Sequence, residues 1–225
     1  MHLRKLFRQL LLLPKTVYFN FKVLELKYAI KLPFYIDKDI RFGKLYKDIV
    51  KLNFEPKRFS IKFGEQVVDG IPENTKGYVS MSKDSCIEFD GYAEFAYGIS
   101  FYTKENAYIK IGSDFYCNKN CVIAARKSIK IGNNVLMGWN ISIIDSDGGN
   151  HLVYENDVLK ENKKDIILGN HVWICSCSHI MKGVTIPNDT IVAYNSCVTK
   201  SFSDENSIIA GSPAIIVKRN IKWER

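Results

Sequence analysis

Six aliphatic residues stand six apart near the end of this chain: Leu168, Ile174, Ile180, Ile186, Val192 and Val198. Two residues before each lie Ile166, Val172, Ser178, Val184, Thr190 and Ser196, which are aliphatic or small. The same frame recurs upstream in groups of three. These are Ile129/Ile131, Val135/Met137 and Ile141/Ile143, then Ile109/Ile111, Phe115/Cys117 and Cys121/Ile123, then Ile87/Phe89, Ala93/Phe95 and Ile99/Phe101. The second position is apolar in all fifteen hexads, in a chain only 46% hydrophobic, so the period is not chance.

Residues two apart on a strand face the same way. Each hexad therefore reads as a short strand with two inward residues, then a turn. Glycine follows the second inward position at Gly112, Gly132, Gly138 and Gly169, where it eases a corner. Three hexads make one turn of a triangular prism, and repeats of this kind specify a solenoid. Coils are expected at 87–104, 109–126, 129–146, 166–183 and 184–201, with insertions of 4, 2, 19 and 0 residues between them. The fold class is all-β, a parallel β-helix of hexapeptide repeats. A β-sandwich of short strands does not explain so strict a period. Residues 59–86 suit an irregular opening coil, giving a β-helix over 59–201 and a tail over 202–225. Residues 1–58 break the pattern, and Leu3–Leu13 reads as a short helix ended by Pro14.

Charge is divided unevenly. Residues 1–62 hold 15 Lys/Arg and 5 Asp/Glu, a net of +10, whereas residues 87–225 hold 15 of each sign. The excess lies among Leu, Phe and Tyr, which suits contact with an anionic membrane surface through residues 1–62, or a head packed on the β-helix with its lysines in water. The repeats hold no Lys/Arg stripe with interleaved aromatics, so no nucleic-acid partner is expected. No run of about 18 apolar residues is present to span a membrane. The basic and apolar start lacks a signal-peptide cleavage pattern, so a cytoplasmic location is expected. Six cysteines without paired metal-ligand spacing suit reduced thiols and no metal site.

A prism of stacked coils is a scaffold, and chemistry belongs to departures from its repeat. The largest is the insertion at 147–165, a long loop expected to project from one corner. Of four histidines, His2 is terminal, and His171 and His179 are expected to point outward from the coils. Only His151 falls in the projecting loop, where its intrinsic pKa suits a general base. A solvated loop histidine is the alternative.

The stretch from Ile129 to Lys218 resembles the hexapeptide-repeat O-acetyltransferases, among them maltose, galactoside and capsule or exopolysaccharide enzymes. The motifs are IGNNVLMGWNISIIDSDG (131–148), GNHVWI (169–174), MKGVTIPNDTIVAYNSCVTK (181–200) and AGSPAIIVK (210–218). The resemblance implies a left-handed β-helix and a homotrimer with active sites between subunits. It implies acetyl-CoA as acyl donor and a sugar or glycan acceptor. It places Trp173, Ser176, Thr199, Lys200, Ala210, Gly211, Lys218 and Arg219 along the coenzyme A groove. Gly149 and Asn150 separate Gly148 from His151, where the family puts histidine directly after the glycine. Cys175 stands where glycine is usual.

The implied mechanism is direct transfer, with His151 taking the proton of an acceptor hydroxyl as that oxygen attacks the thioester. Asp145, Asp147 or Glu155 are candidates to orient the imidazole. Three other readings remain open at this point: a trimeric scaffold without chemistry, an N-acyltransferase of amino sugars, and a zinc enzyme of the three-histidine type. The eight-residue spacing of His171 and His179 speaks against the last.

Overall fold

The computed structural model describes residues 2–65, 75–149 and 151–225, with the backbone alone for residues 2–12. Two helices, α1 (His2–Val23) and α2 (Leu26–Ala29), precede the strands. The strands then run around three faces in succession. The first turn holds β1 (Phe34–Ile36), β2 (Ile40–Phe42) and β3 (Val50–Leu52); the second holds β4 (Ile61–Phe63), β5 (Gly77–Ser80) and β6 (Cys86–Phe89). Next come β7 (Ala93–Phe95), β8 (Ser100–Thr103) and β9 (Tyr108–Ile111), then β10 (Phe115–Cys117), β11 (Val122–Ala125) and β12 (Ser128–Ile131). The fifth turn has β13 (Leu136–Met137) and β14 (Ser142–Ile144). A loop hairpin, β15 (Tyr154–Glu155) and β16 (Val158–Leu159), interrupts it before β17 (Ile166–Leu168). The last turns hold β18 (Trp173–Ile174), β19 (His179–Met181), β20 (Thr185–Ile186), β21 (Ile191–Val192) and β22 (Cys197–Val198), and the chain closes with β23 (Ile208–Gly211) and β24 (Ala214–Lys218).

Every third strand pairs in parallel, giving sheets of nine, seven and six strands. The three sheets begin with β1, β2 and β3 and are called here the first, second and third faces. Only β24 runs antiparallel in them, folded back on β23. The fold is all-β apart from the N-terminal helices. Both inward positions of all fifteen hexads are at most 2% exposed. The inward Ser178, Thr190 and Ser196 are satisfied locally: Ser178 Oγ donates to the Ala193 carbonyl (2.9 Å) and Thr190 Oγ1 to the Asn188 carbonyl (3.1 Å), while Ser196 Oγ accepts the Gly211 N–H (3.2 Å). Toward the N-terminus the core is built of phenylalanine, with Phe63 and Phe95 stacked at 4.4 Å.

Strand pairing reaches into the region expected to break the pattern. β1 pairs with β4, β2 with β5 and β3 with β6, so residues 34–52 form a turn of the prism. Loops of unequal length between these strands hide the six-residue frame. The helix at the start also differs from expectation, because α1 continues through Pro14 to Val23. Its packing against the prism end compensates the N–H that proline lacks. Phe19 and Val23 are fully buried. Asn20 Nδ2 donates to the Phe34 carbonyl (2.9 Å), and Asn20 Oδ1 accepts the Phe34 N–H (3.0 Å). Thr16 Oγ1 accepts the Ile36 N–H at 3.1 Å. Thus two helical side chains satisfy the free edge of β1.

Corners are turned by left-handed residues, mostly Asn or Asp: Asp114, Asn134, Asp189 and Asn206 at one corner, and Asn120, Asn140 and Asn195 at another, all with φ between 53° and 58°. These side chains tolerate that region better than most. Gly132 has a different task from the expected easing of a corner. A Cβ there would stand 2.5 Å from the Gly169 carbonyl oxygen on the next coil, so its role is to let two backbones touch.

Candidate active site

The second and third faces meet at the corner from which residues 147–165 project. Ser146 and Lys163 form a bridge at the loop's base, and β15 pairs with β16 beyond it. The hairpin turn Asn156–Asp157 has positive φ at both residues, which suits the twist of a tight two-residue hairpin. Its side chains Leu152, Val153, Tyr154, Val158 and Leu159 are all exposed.

Charges tether the loop to the coils. Lys182 pairs with Asp147 and donates to the Glu161 carbonyl at 2.8 Å. Lys127 pairs with Glu161 (3.0 Å) and Asp165 (3.5 Å). Asp145 is fully buried beneath the loop, and its two oxygens accept the backbone N–H groups of Arg126 and Lys127, each at 2.7 Å. Burial pushes its carboxyl above the usual aspartate range, against the pull of those N–H groups and that of Ser128.

His151 is exposed, and its imidazole lies over Gly149: a Cβ at Gly149 would come within 2.6 Å of Nε2. Arg126 Nη1 donates to the Gly149 carbonyl at 3.1 Å. None of the three candidate carboxylates orients the imidazole. Asp145 is turned into the scaffold, Asp147 is paired with Lys182, and Glu155 with Lys160. Arg126 was invisible to the sequence reading, because its link to the loop crosses 23 residues. Its one signal was a basic pair, Arg126-Lys127, at the corner one coil before the insertion.

The other expected site residues fall into two groups. Trp173 and Ser176 lie on the first face and its corner with the second, and Ala210 and Gly211 extend that face. Trp173 is half-buried and meets Trp223 of the chain's own tail at 5.8 Å between ring centroids, so its ring is partly covered. Trp223 stacks on His171, whose Nδ1 lies 2.8 Å from Asp189. Ser176 Oγ accepts the Trp139 N–H at 2.9 Å. Thr199 and Lys200 follow β22 at the corner below the loop. Lys200 and Arg219 line one shallow hollow of about 340 Å³ with Phe202 and Asp204, where Arg219 pairs with Asp204 at 2.7 Å. Lys218 ends β24 opposite Ile208. His179 lies on the second face, with Nδ1 2.6 Å from Ser142 Oγ. All six cysteines are free thiols.

No protein-family model matches the chain. Over 114 residues it is 34% identical to a galactoside O-acetyltransferase of Escherichia coli (strain K12), covering 49% of this chain and 53% of that protein. Over 106 residues it is 33% identical to a polysialic acid O-acetyltransferase of Escherichia coli O1:K1 / APEC, covering 46% of this chain and 34% of that one. The solved structure of the polysialic acid O-acetyltransferase OatWY aligns with a TM-score of 0.57 at 25% identity, over 83% of this chain and 88% of that one. The chain is similar to sugar O-acetyltransferases in sequence and in fold. It spans about half the length of most of the curated sugar O-acetyltransferases and other relatives it matches.

Proposed function

We propose that the protein transfers an acetyl group from acetyl-CoA to a hydroxyl of a sugar or glycan, with His151 as general base. The observation that carries this reading is the placement of His151. It stands exposed on the long projecting loop at 147–165, above an arginine-held backbone, in a chain whose relatives bear sugar O-acetyltransferase names. A neutral imidazole there accepts the proton of an acceptor hydroxyl as its oxygen attacks, and the imidazolium then returns a proton to the departing thiolate. Acetyl-CoA supplies the acyl group as an activated thioester. Lys200 and Arg219 face a common hollow suited to a phosphate of that donor, although Arg219 must exchange Asp204 for it. Trp173, Ser176, Thr199, Ala210, Gly211 and Lys218 complete the proposed donor groove.

The same reading takes the β-helix as left-handed and the assembly as a homotrimer with the donor groove between subunits. Exposed apolar residues on the loop, including Leu152 and Val158, suit burial against a neighbouring subunit. Residues 1–62 are proposed to rest on an anionic membrane at the cytoplasmic face. On α1, on α2 and just after it, Tyr18, Phe21, Leu26 and Ile30 are exposed among Lys15, Lys22, Lys27 and Lys31. Among the described residues, no helix is long and apolar enough to cross a membrane. The decisive test is thiol release from acetyl-CoA across a panel of sugars. Release by the wild-type protein and its loss in His151→Ala support the reading. Absence of release with every acceptor overturns the transferase, and full activity of His151→Ala overturns the base.

A further inference from the structure

A groove of about 820 Å³, separate from the expected donor-site residues, runs along the outside of the second face. Its long dimension follows the prism axis, from Lys44 after β2, past β5 and β8, to Arg126 after β11 and Lys163 in the projecting loop. Three strand spacings separate β2 from β11, about 14 Å at the usual distance between strands.

Its lining has a consistent chemistry. Lys44, Lys104, Arg126 and Lys163 supply four cations against a single acid, Glu105, among the described residues. Four lysines elsewhere on the prism are paired: Lys62 with Glu94, Lys110 with Asp90, Lys127 with Glu161 and Lys182 with Asp147. Lys44, Lys104 and Lys163 have no acidic partner among the described residues. Tyr78 and Tyr102 add two aromatic walls. The Tyr78 ring folds over Gly43, where a Cβ would collide with its hydroxyl, so the backbone is cut away to seat the ring. Hydroxyl-rich strands floor the groove, with Ser80 Oγ accepting the Lys44 N–H at 3.0 Å. Alternating aromatic faces and hydroxyls match pyranose rings, and cations set along one line match negative charges repeated along a chain.

One residue joins this groove to the candidate base. Arg126 lines the groove and holds the Gly149 carbonyl, two residues before His151. We propose that the groove binds an acidic oligosaccharide, lying lengthwise across the second face, and delivers one of its hydroxyls to His151. The proposal rests on the acyltransferase reading and names the acceptor class for it.

The test measures binding by calorimetry at low salt. The ligands are a uronic-acid tetrasaccharide, a sialic-acid tetrasaccharide, a neutral galactose tetrasaccharide and inorganic phosphate. At least one acidic tetrasaccharide is expected to bind tenfold or more tightly than the neutral one, on the order of what two or three accessible charges provide. The Lys104→Glu/Lys163→Glu double variant is expected to lose that preference, and Tyr102→Ala to weaken binding of the acidic oligosaccharide. Thermal unfolding checks that each variant is folded. Equal binding of neutral and acidic sugars, an unchanged preference in the double variant, or phosphate competing as well as the oligosaccharide would overturn the proposal. Thiol release from acetyl-CoA is followed separately across the acidic tetrasaccharides and a panel of neutral sugars. Its absence bears on the transferase reading and leaves the binding result intact.

Discussion

The His151 imidazole lies against the bare Cα of Gly149, and that glycine's carbonyl is held by Arg126 at 3.1 Å. The proposed base and the scaffold are therefore connected through a residue without a side chain.

Replacing Gly149 by alanine tests this arrangement. A methyl group would meet Nε2 at 2.6 Å and push the ring aside. Misplacing a reactive group by about 1 Å can cost on the order of 100-fold in rate. Gly149→Ala is expected to reduce thiol release by 10- to 100-fold, by that same reasoning, with little change in melting temperature, because the position is on an outer loop. Steady-state kinetics beside a thermal melt distinguish the two effects.

Asp145 is expected to matter for stability and not for proton transfer. Each of its oxygens accepts one backbone N–H at 2.7 Å. Asparagine in its place sets an NH₂ group against one of those donors, leaving a buried clash worth about 1–3 kcal/mol. Asp145→Asn should lower the unfolding free energy measured in urea by that amount and loosen the base of the loop.

At Gly132 the obstacle is backbone. Its Cβ would lie 2.5 Å from the Gly169 carbonyl oxygen, which cannot rotate away as a side chain does. Gly132→Ala is expected to destabilise the protein by about 1–3 kcal/mol or more, the usual range for overpacking. Gly148→Ala is the contrasting variant: Gly148 has φ +79° and nothing within 4 Å of its Cβ position, so strain without collision is expected there. Chemical denaturation of the two variants checks the order.

Acid sensitivity should appear on the third face. Burial raises the Glu88 carboxyl, but hydrogen bonds from Asn53 and Tyr108 and the charge of Lys51 outweigh it and hold the group below the usual glutamate range. In return, burial and the bond to Glu88 push Tyr108 up to about 12. A carboxylate with a lowered folded pKa stabilises above its unfolded value and loses that contribution as pH falls through the folded one. Melting temperature is thus expected to fall as pH drops below about 4.3, the ordinary glutamate value. Glu88→Gln should flatten that part of the profile; an unchanged slope would exclude Glu88 as its source.

The repeat was legible because each coil buries two residues per face, and a buried pair leaves a fixed spacing in sequence. The turn made by β1, β2 and β3 was not, since its last strand follows the second by ten residues where the frame demands six. Local propensity alone makes Pro14 a helix stop, whereas Thr16, Phe19 and Asn20 hold the next turns against the prism. His151 was visible as the lone loop histidine. Its surroundings were not, because Arg126 reaches it from the preceding coil, a neighbour in register and distant in sequence. The Asn and Asp residues at the corners were a readable signal that the apolar frame overshadowed.

Asn20 also bears on how the protein behaves in a crowded solution. A solenoid has no intrinsic reason to stop: the last strand of one molecule is a template for the first strand of another. Asn20 occupies both the donor and the acceptor of Phe34, and the helix is therefore expected to block end-to-end addition at this edge. Asn20→Ala should therefore do more than cost about 1–3 kcal/mol for the groups left bare. It should give a protein whose light scattering rises with time and concentration, as fibres grow from an unplugged end.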